Sequence, residues 1–211
     1  MIELLAHMGD DLAVVNAARV SMAKESHKVC ADDEKLIRYL AKHKHWTPFA
    51  QVQFKFRISM PIFVARQWTK SSVGVIRNEV SRRYVDNPPE FWSPNGAWRG
   101  RAEHVKQGSG GLLLEAVCDE VSEIYWYAMD ACSDAYKDML EKGVCPEQAR
   151  AVLPQSMMTE FIETGSLSAY ARIYGLRTDP HAQKEIQDYA LAIGEHIEKI
   201  VPVSWAALTG S

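Results

Sequence analysis

The chain has 211 residues, 47% of them hydrophobic and 24% charged, with a formal net charge of −3 at pH 7. That is the composition of an ordinary globular protein able to bury a sizeable core, and it excludes global disorder, collagen-like repeats and a tandem array. Without an overall basic field, binding to a nucleic-acid polymer is disfavoured, although a local cluster of cations can still hold one small phosphate.

From Asp32 to His43, acidic residues open a segment in which Leu36, Ile37 and Leu40 recur at helical spacing and basic residues close it. This predicts an amphipathic helix. After a turn at Trp46, Thr47 and Pro48, the residues Val52, Phe54, Phe56 and Ile58 alternate with polar ones. A strict period of two predicts a strand. Pro61 suits the first turn of a helix over Ile62 to about Lys70, where its missing N–H is not needed. Pro-Pro, Ser-Pro and Asn-Gly then punctuate Val85 to Gly100, and a Gly/Ser stretch runs from Gln107 to Gly111. Residues 85–111 are therefore expected to form an irregular loop excursion.

Between Leu112 and Leu140 apolar residues recur every three or four positions, which predicts one long or one broken helix ended by Gly143. Pro146 opens a short helix carrying Arg150, and Leu153-Pro154 stops it because the residue before proline avoids the helical region. Met157 to Thr164 reads as a strand and Leu167 to Leu176 as a helix. Ala182 to Ile200 reads as a final amphipathic helix, with Ile186, Tyr189, Ala190, Ile193 and Ile197 on one face. No repeat and no shift of composition divides the chain, so a single α+β domain over residues 1–211 is expected.

The four cysteines, Cys30, Cys118, Cys132 and Cys145, are scattered, with no CxxC pair and no leading signal peptide. Reduced thiols and a cytoplasmic setting are expected. His27 and Cys30 have no second pair at ligand-like spacing, so no metal site is expected. No run approaches the roughly 18 to 20 apolar residues that span a bilayer, so no membrane partner is expected either.

Candidate chemistry concentrates in RQWTKSSVGVIRNEVSRRY, where Arg66, Lys70, Arg77, Arg82 and Arg83 lie close together before Tyr84. If the later part is extended, Glu79, Ser81 and Arg83 project to one side. A carboxylate, a hydroxyl and a guanidinium so placed suit a polar ligand bearing phosphate. If it is helical instead, Glu79 and Arg83 are an i,i+4 surface pair. Arg150 stands just before the Leu153-Pro154 stop. Arg177 stands at the end of a helix, where a cation also complements the dipole. His45 and His181 are loop-edge candidates. Ser81 has no GxSxG elbow, Cys145 has no neighbouring base, and neither a GxGxxG nor a P-loop occurs. No enzyme nucleophile is expected, and a flavin or nucleotide would need another kind of pocket.

Six blocks in order carry a resemblance. They are Ala17-Ala18-Arg19-Val20-Ser21, His45-Trp46-Thr47-Pro48-Phe49, Pro61 through Trp68, Asn78-Glu79-Val80-Ser81-Arg82-Arg83-Tyr84, Ala149 through Pro154, and Leu176-Arg177 followed by His181-Ala182-Gln183. From about Ala17 to Ile193 the chain resembles the flavin-dependent thymidylate synthases. The resemblance implies an α+β fold with a mainly antiparallel sheet flanked by helices, and a homotetramer with shared active sites. It also implies FAD as cofactor, with transfer of a methylene from 5,10-methylenetetrahydrofolate to C5 of dUMP and reduction to dTMP by electrons from NADPH.

Position by position, Gln67, Lys70, Glu79, Ser81, Arg82, Arg83, Arg150 and Arg177 fall where the family holds dUMP. His45, Thr47, Lys70, Ser71, Ser72, Glu79, Ser166, Ser168 and Arg172 fall where it holds flavin and folate. Arg177 takes the catalytic part, since a guanidinium beside the N3/O2 edge of uracil stabilises charge developing on the ring. The family signature usually opens Arg-His-Arg, whereas this chain has Lys70-Ser71-Ser72, and Ser166 and Ser168 replace the common Asn and Arg. Reduced flavin affinity is expected from these departures, with Arg77 a nearby cation able to compensate. The alternative function is a dUMP-binding homologue with impaired catalysis.

Overall fold

The computed structural model describes residues 1–103 and 108–210. Residues 104–107, which include Gln107 of the Gly/Ser stretch and part of the 85–111 excursion, lie outside the described residues, as does Ser211. The chain forms two compact units and passes between them four times, three times within a strand and once after Trp68. The first unit holds Met1–Ile58, Thr69–Asn78 and the chain from Ile162 onward, and the second holds Ser59–Trp68 and Glu79–Phe161.

The first unit begins with β1 (Ile2–Met8), α1 (Asp11–Arg19) and α2 (Ala31–Lys42). It takes most of β2 (Gln53–Pro61) and β3 (Val75–Glu79) and the end of β6 (Met158–Ser166), and continues with α6 (Leu167–Arg177), α7 (Lys184–Glu198) and α8 (Pro202–Thr209). The sheet order is β1-β2-β6-β3, with β1 antiparallel to β2 so that Ile2 faces Ile58 and Met8 faces Gln53. The alternation read in β2 is the alternation of burial: Phe54, Phe56 and Ile58 are fully buried. Phe56 meets Tyr170 of α6 edge-on with ring centroids 5.4 Å apart, an arrangement that the aromatic quadrupole favours. Gly165 permits this closeness. A Cβ there would lie 2.5 Å from Val75 Cγ1 and 3.0 Å from Tyr170 Cε2.

The expected final helix is α7, but it is not the last: α8 follows it. The segment Pro202-Val203-Ser204-Trp205-Ala206-Ala207-Leu208 has no polar stripe, so periodicity gives no signal for a helix packed on several sides. Its first turn is fixed from the other end of the chain. Asp11 Oδ2 and Oδ1 accept from the backbone N–H groups of Val203 and Ser204 at 3.0 and 2.8 Å, supplying partners that a helix start otherwise lacks.

The second unit holds α3 (Ile62–Trp68), β4 (Arg99–Arg101), β5 (Ser109–Leu112), α4 (Glu115–Glu141) and α5 (Pro146–Ala149), with the start of β6. The question of one long or one broken helix resolves as one, 27 residues in α4. Gly143 ends it at φ +86°, with its N–H on Leu140 O at 2.9 Å. The 85–111 excursion departs from expectation in carrying a two-stranded antiparallel pairing of β4 and β5. Its Pro-rich part is irregular yet packed, because aromatic side chains bind it to α4. Phe63, Trp92, Trp98 and Tyr125 meet edge-on in sequence, with centroids 5.3, 6.3 and 5.4 Å apart. Trp98 Nε1–H donates to Ser122 Oγ at 2.9 Å, and the Tyr125 hydroxyl donates to Trp92 O at 2.5 Å. Pro and Gly reported where a helix cannot run, whereas the tryptophans decided where the loop lies. Among the described residues no helix is long and apolar enough to cross a membrane.

Candidate active site

In the second unit, a cavity of about 730 Å³ is lined among others by Glu79, Ser81, Arg82, Glu147, Arg150 and Thr159. That volume is within the usual range for small-molecule sites. The β3 strand ends at Glu79, and the chain then turns, with Ser81 O accepting from Tyr84 N at 3.4 Å and Val85 N at 3.1 Å. Neither conformation considered for this segment holds throughout. Glu79 is extended, but Ser81 to Tyr84 is a turn, so the three side chains are not aligned on one strand face. They are also not an i,i+4 pair, because Glu79 and Arg83 each have another partner.

Glu79 Oε1 accepts a 2.5 Å hydrogen bond from Thr159 Oγ1, whose residue is 4% exposed on β6. Arg83 Nε lies 2.8 Å from Glu147 Oε1. Arg150 Nε donates to the carbonyl of the same Glu147 at 3.2 Å. Arg83 and Arg150, far apart along the chain, are thus brought to one residue. The Arg82 guanidinium donates to the carbonyls of Asn87 and Pro88, so it clasps the adjoining loop as well as lining the cavity. Ser81 Oγ accepts from Arg83 N at 3.3 Å, which leaves its own proton to donate. Gln67 stands half-buried on α3 in this unit.

Thr159→Val is nearly isosteric and removes only the donor to Glu79. We expect it to lower stability by about 1 kcal/mol in a denaturant titration, since one hydrogen bond to a charged acceptor is lost while the carboxylate can regain water. Thr159→Ser should restore it, and equal midpoints for all three proteins would show that the bond carries no weight.

The remaining candidates belong to the first unit. Lys70 and Ser72 are exposed in the segment leading to β3, whereas Ser71 is buried. Arg172 on α6 donates to Val73 O at 2.5 Å. Gly74 follows at φ +81°, where a Cβ would come within 2.9 Å of Ala169 Cβ. Ser166 is the N-cap of α6, its Oγ accepting from Ala169 N at 3.2 Å and standing 3.1 Å from Ser168 Oγ. The donor set of Lys70, Ser72, Ser168 and Arg172, two cations with two hydroxyls, suits the diphosphate of a flavin dinucleotide. Ser166, by contrast, spends its hydroxyl on the helix.

Arg77 does not serve as a spare cation. Its Nε and Nη2 lie 2.7 and 2.6 Å from Glu163 Oε2, and its Nη1 donates to Thr69 O at 3.3 Å. His45 is exposed, its backbone N–H on Leu40 O at 2.9 Å and its ring 6.3 Å from that of Tyr39. Thr47 is exposed in the turn before β2. His181 is exposed in the turn before α7, with its backbone N–H on Asp179 Oδ1. Arg177 ends α6, half-buried, and burial pulls its pKa down. Sequence reasoning missed Thr159 and Glu147. For Glu147 a signal existed, since Pro146 starts a helix and places Glu147 and Arg150 at i,i+3. For Thr159 there was none beyond its place in an expected strand.

The model of the family described as thymidylate synthase complementing protein, Thy1, matches residues 3–203. A curated relative from Thermus thermophilus, named flavin-dependent thymidylate synthase, is 42% identical over 206 residues, covering 98% of this chain and 74% of the relative. One of the same name from Thermosipho africanus is 38% identical, covering 98% and 89%. Among solved structures, a UMP/dUMP methylase, PolB from Streptomyces cacaoi bound with 5-Br dUMP, superposes with a TM-score of 0.90 at 28% identity, covering all of this chain and 94% of that one.

Proposed function

Because the chain belongs to the thymidylate synthase complementing protein family, we propose that it is a flavin-dependent enzyme converting dUMP to dTMP, with FAD as the flavin, 5,10-methylenetetrahydrofolate as methylene donor and NADPH as reductant. One observation carries the substrate: Glu79, Ser81, Arg82 and Arg150, positions where the family holds dUMP, line a single cavity, with Arg83 tied to its Glu147. The neighbour PolB, bound with 5-Br dUMP, supports the same substrate.

In this reading Arg83 and Arg150 hold the phosphate by charge-assisted hydrogen bonds and Ser81 donates one more. Glu79, held at one oxygen by Thr159, accepts from the nucleoside. Gln67 and Lys70 complete the substrate contacts, and Arg82 keeps the loop at Asn87 and Pro88 in place beside them. Arg177 stabilises negative charge arising on the uracil ring, which makes C5 nucleophilic without a covalent enzyme intermediate. Lys70, Ser72, Ser168 and Arg172 would hold the flavin, and His45 and Thr47 would contribute to the flavin and folate site, where a bound reduced flavin would supply hydride chemistry. Ser71 and Ser166 contribute by shaping the loop and the α6 cap.

We read the two units as one catalytic domain, supported by a family model that spans both, and the assembly as a cytoplasmic homotetramer. The impaired-homologue reading is not favoured, since relatives at 42% and 38% identity bear an enzyme's name. The test is the visible spectrum of the protein with added FAD, followed by dUMP-dependent reoxidation of its reduced flavin and tritium release from C5-labelled dUMP. All three signals are expected. Binding of dUMP with tritium release at background would instead establish the impaired homologue, and failure to bind either ligand would overturn the assignment.

A further inference from the structure

Glu147 touches both arginines assigned to the phosphate, by two different groups. Its carboxylate lies 2.8 Å from Arg83 Nε, while its backbone carbonyl accepts from Arg150 Nε at 3.2 Å. It also lines the cavity, where Glu79, Glu90 and Glu160 stand with Arg82 and Arg150. Four carboxylates against two guanidiniums make a poor resting environment for a dianion, so the further cation of Arg83 counts, and its Nε already has a carboxylate against it. A carboxylate and a phosphate present the same chemistry to a guanidinium: a pair of anionic oxygens spaced to accept its N–H groups.

We infer that Glu147 is a placeholder for the substrate phosphate, an internal anion that holds Arg83 at the cavity until the nucleotide monophosphate displaces it. Both side chains are about half exposed, 58% for Arg83 and 53% for Glu147, so the pair is weak and exchange costs little. The carboxylate stays nearby after exchange and repels the phosphate, so Glu147 sets the affinity for the anion below what Arg83 alone would give. The device discriminates by charge: it lets go for a dianion and yields little to an uncharged nucleoside.

This rests on the assignment of Arg83 to the phosphate, and calorimetry with dUMP on four proteins separates the two claims. Glu147→Gln keeps the carbonyl that holds Arg150 and removes only the charge. It is expected to lower the dUMP dissociation constant about two- to fivefold, the scale of an exposed ion pair. Arg83→Gln should weaken binding. In the Arg83→Gln/Glu147→Gln double variant the gain from Glu147→Gln should shrink to what the removed repulsion alone supplies, because the carboxylate no longer competes for Arg83. A structural role would not tighten binding, and deoxyuridine should show no gain in any variant. Unchanged or weaker dUMP binding in Glu147→Gln, with Arg83→Gln impaired, overturns the placeholder alone. Unimpaired binding in Arg83→Gln overturns the phosphate assignment beneath it.

Discussion

Arg177→Ala is expected to cut turnover by about a hundred- to a thousandfold, the usual cost of removing one group that stabilises charge in the transition state. In the proposed reaction that charge arises on the uracil only as C5 attacks. Its loss should therefore lower kcat and kcat/KM together, with KM for dUMP changing far less. Folding should be nearly indifferent. Burial pulls the Arg177 pKa below its ordinary value, meaning that the folded environment disfavours the cation relative to the unfolded chain. For a base with a depressed folded pKa, the cost is present at every pH below that value and relieved only above it. At neutral pH the guanidinium is still charged, so the cost of burying it is present there and a neutral replacement removes it. Tritium release read beside a thermal melt separates the effects. Full turnover in Arg177→Ala would remove the residue from the mechanism, and a melt that collapses would make its role structural.

The parts of this molecule that showed in the sequence are those whose signal is local. Phe54, Phe56 and Ile58 alternate because one side of β2 is buried, and α7 shows because Ile186, Ala190, Ile193 and Ile197 face one core. Helix α8 did not show. It has no polar face, and its start is satisfied by Asp11 from the opposite end of the chain. The site divides along the same line. The run from Glu79 to Arg83 and the position of Arg150 were visible as residue types, but their partners were not. Thr159 reaches Glu79 and Glu147 reaches Arg83 only through the tertiary fold, and no spacing rule links residues 80 or 64 apart. The turn at Ser81 to Tyr84 was hidden too, since neither Gly nor Pro marks it.

Arg77 shows how far a cation's sequence neighbourhood can mislead about its task, and its replacement should have the largest effect on stability. Glu163 is completely buried, and Arg77, with its side chain 16% exposed, supplies two nitrogens to one of its oxygens at 2.7 and 2.6 Å. Tyr170 lies in the same surroundings, and its phenol is pushed far above the ordinary range, first by burial and then by the charge of Glu163. Arg77→Met fills similar space but strands a buried carboxylate, which typically costs about 3 to 5 kcal/mol. For a chain of this length that corresponds to a Tm lower by roughly 6 to 20 °C. Replacing both partners, Arg77→Met with Glu163→Leu, removes the charge along with its counterion. It should recover most of the loss, because a buried pair is worth little over apolar packing even when either half alone is costly to keep. Flavin affinity measured below the melting range should be the same in the double variant as in the parent, since the Arg77 fork already serves Glu163 and Thr69. A drop in flavin affinity with Tm restored would return Arg77 to the cofactor, and a single variant melting within about 2 °C of the parent would show that the pair does not hold the fold.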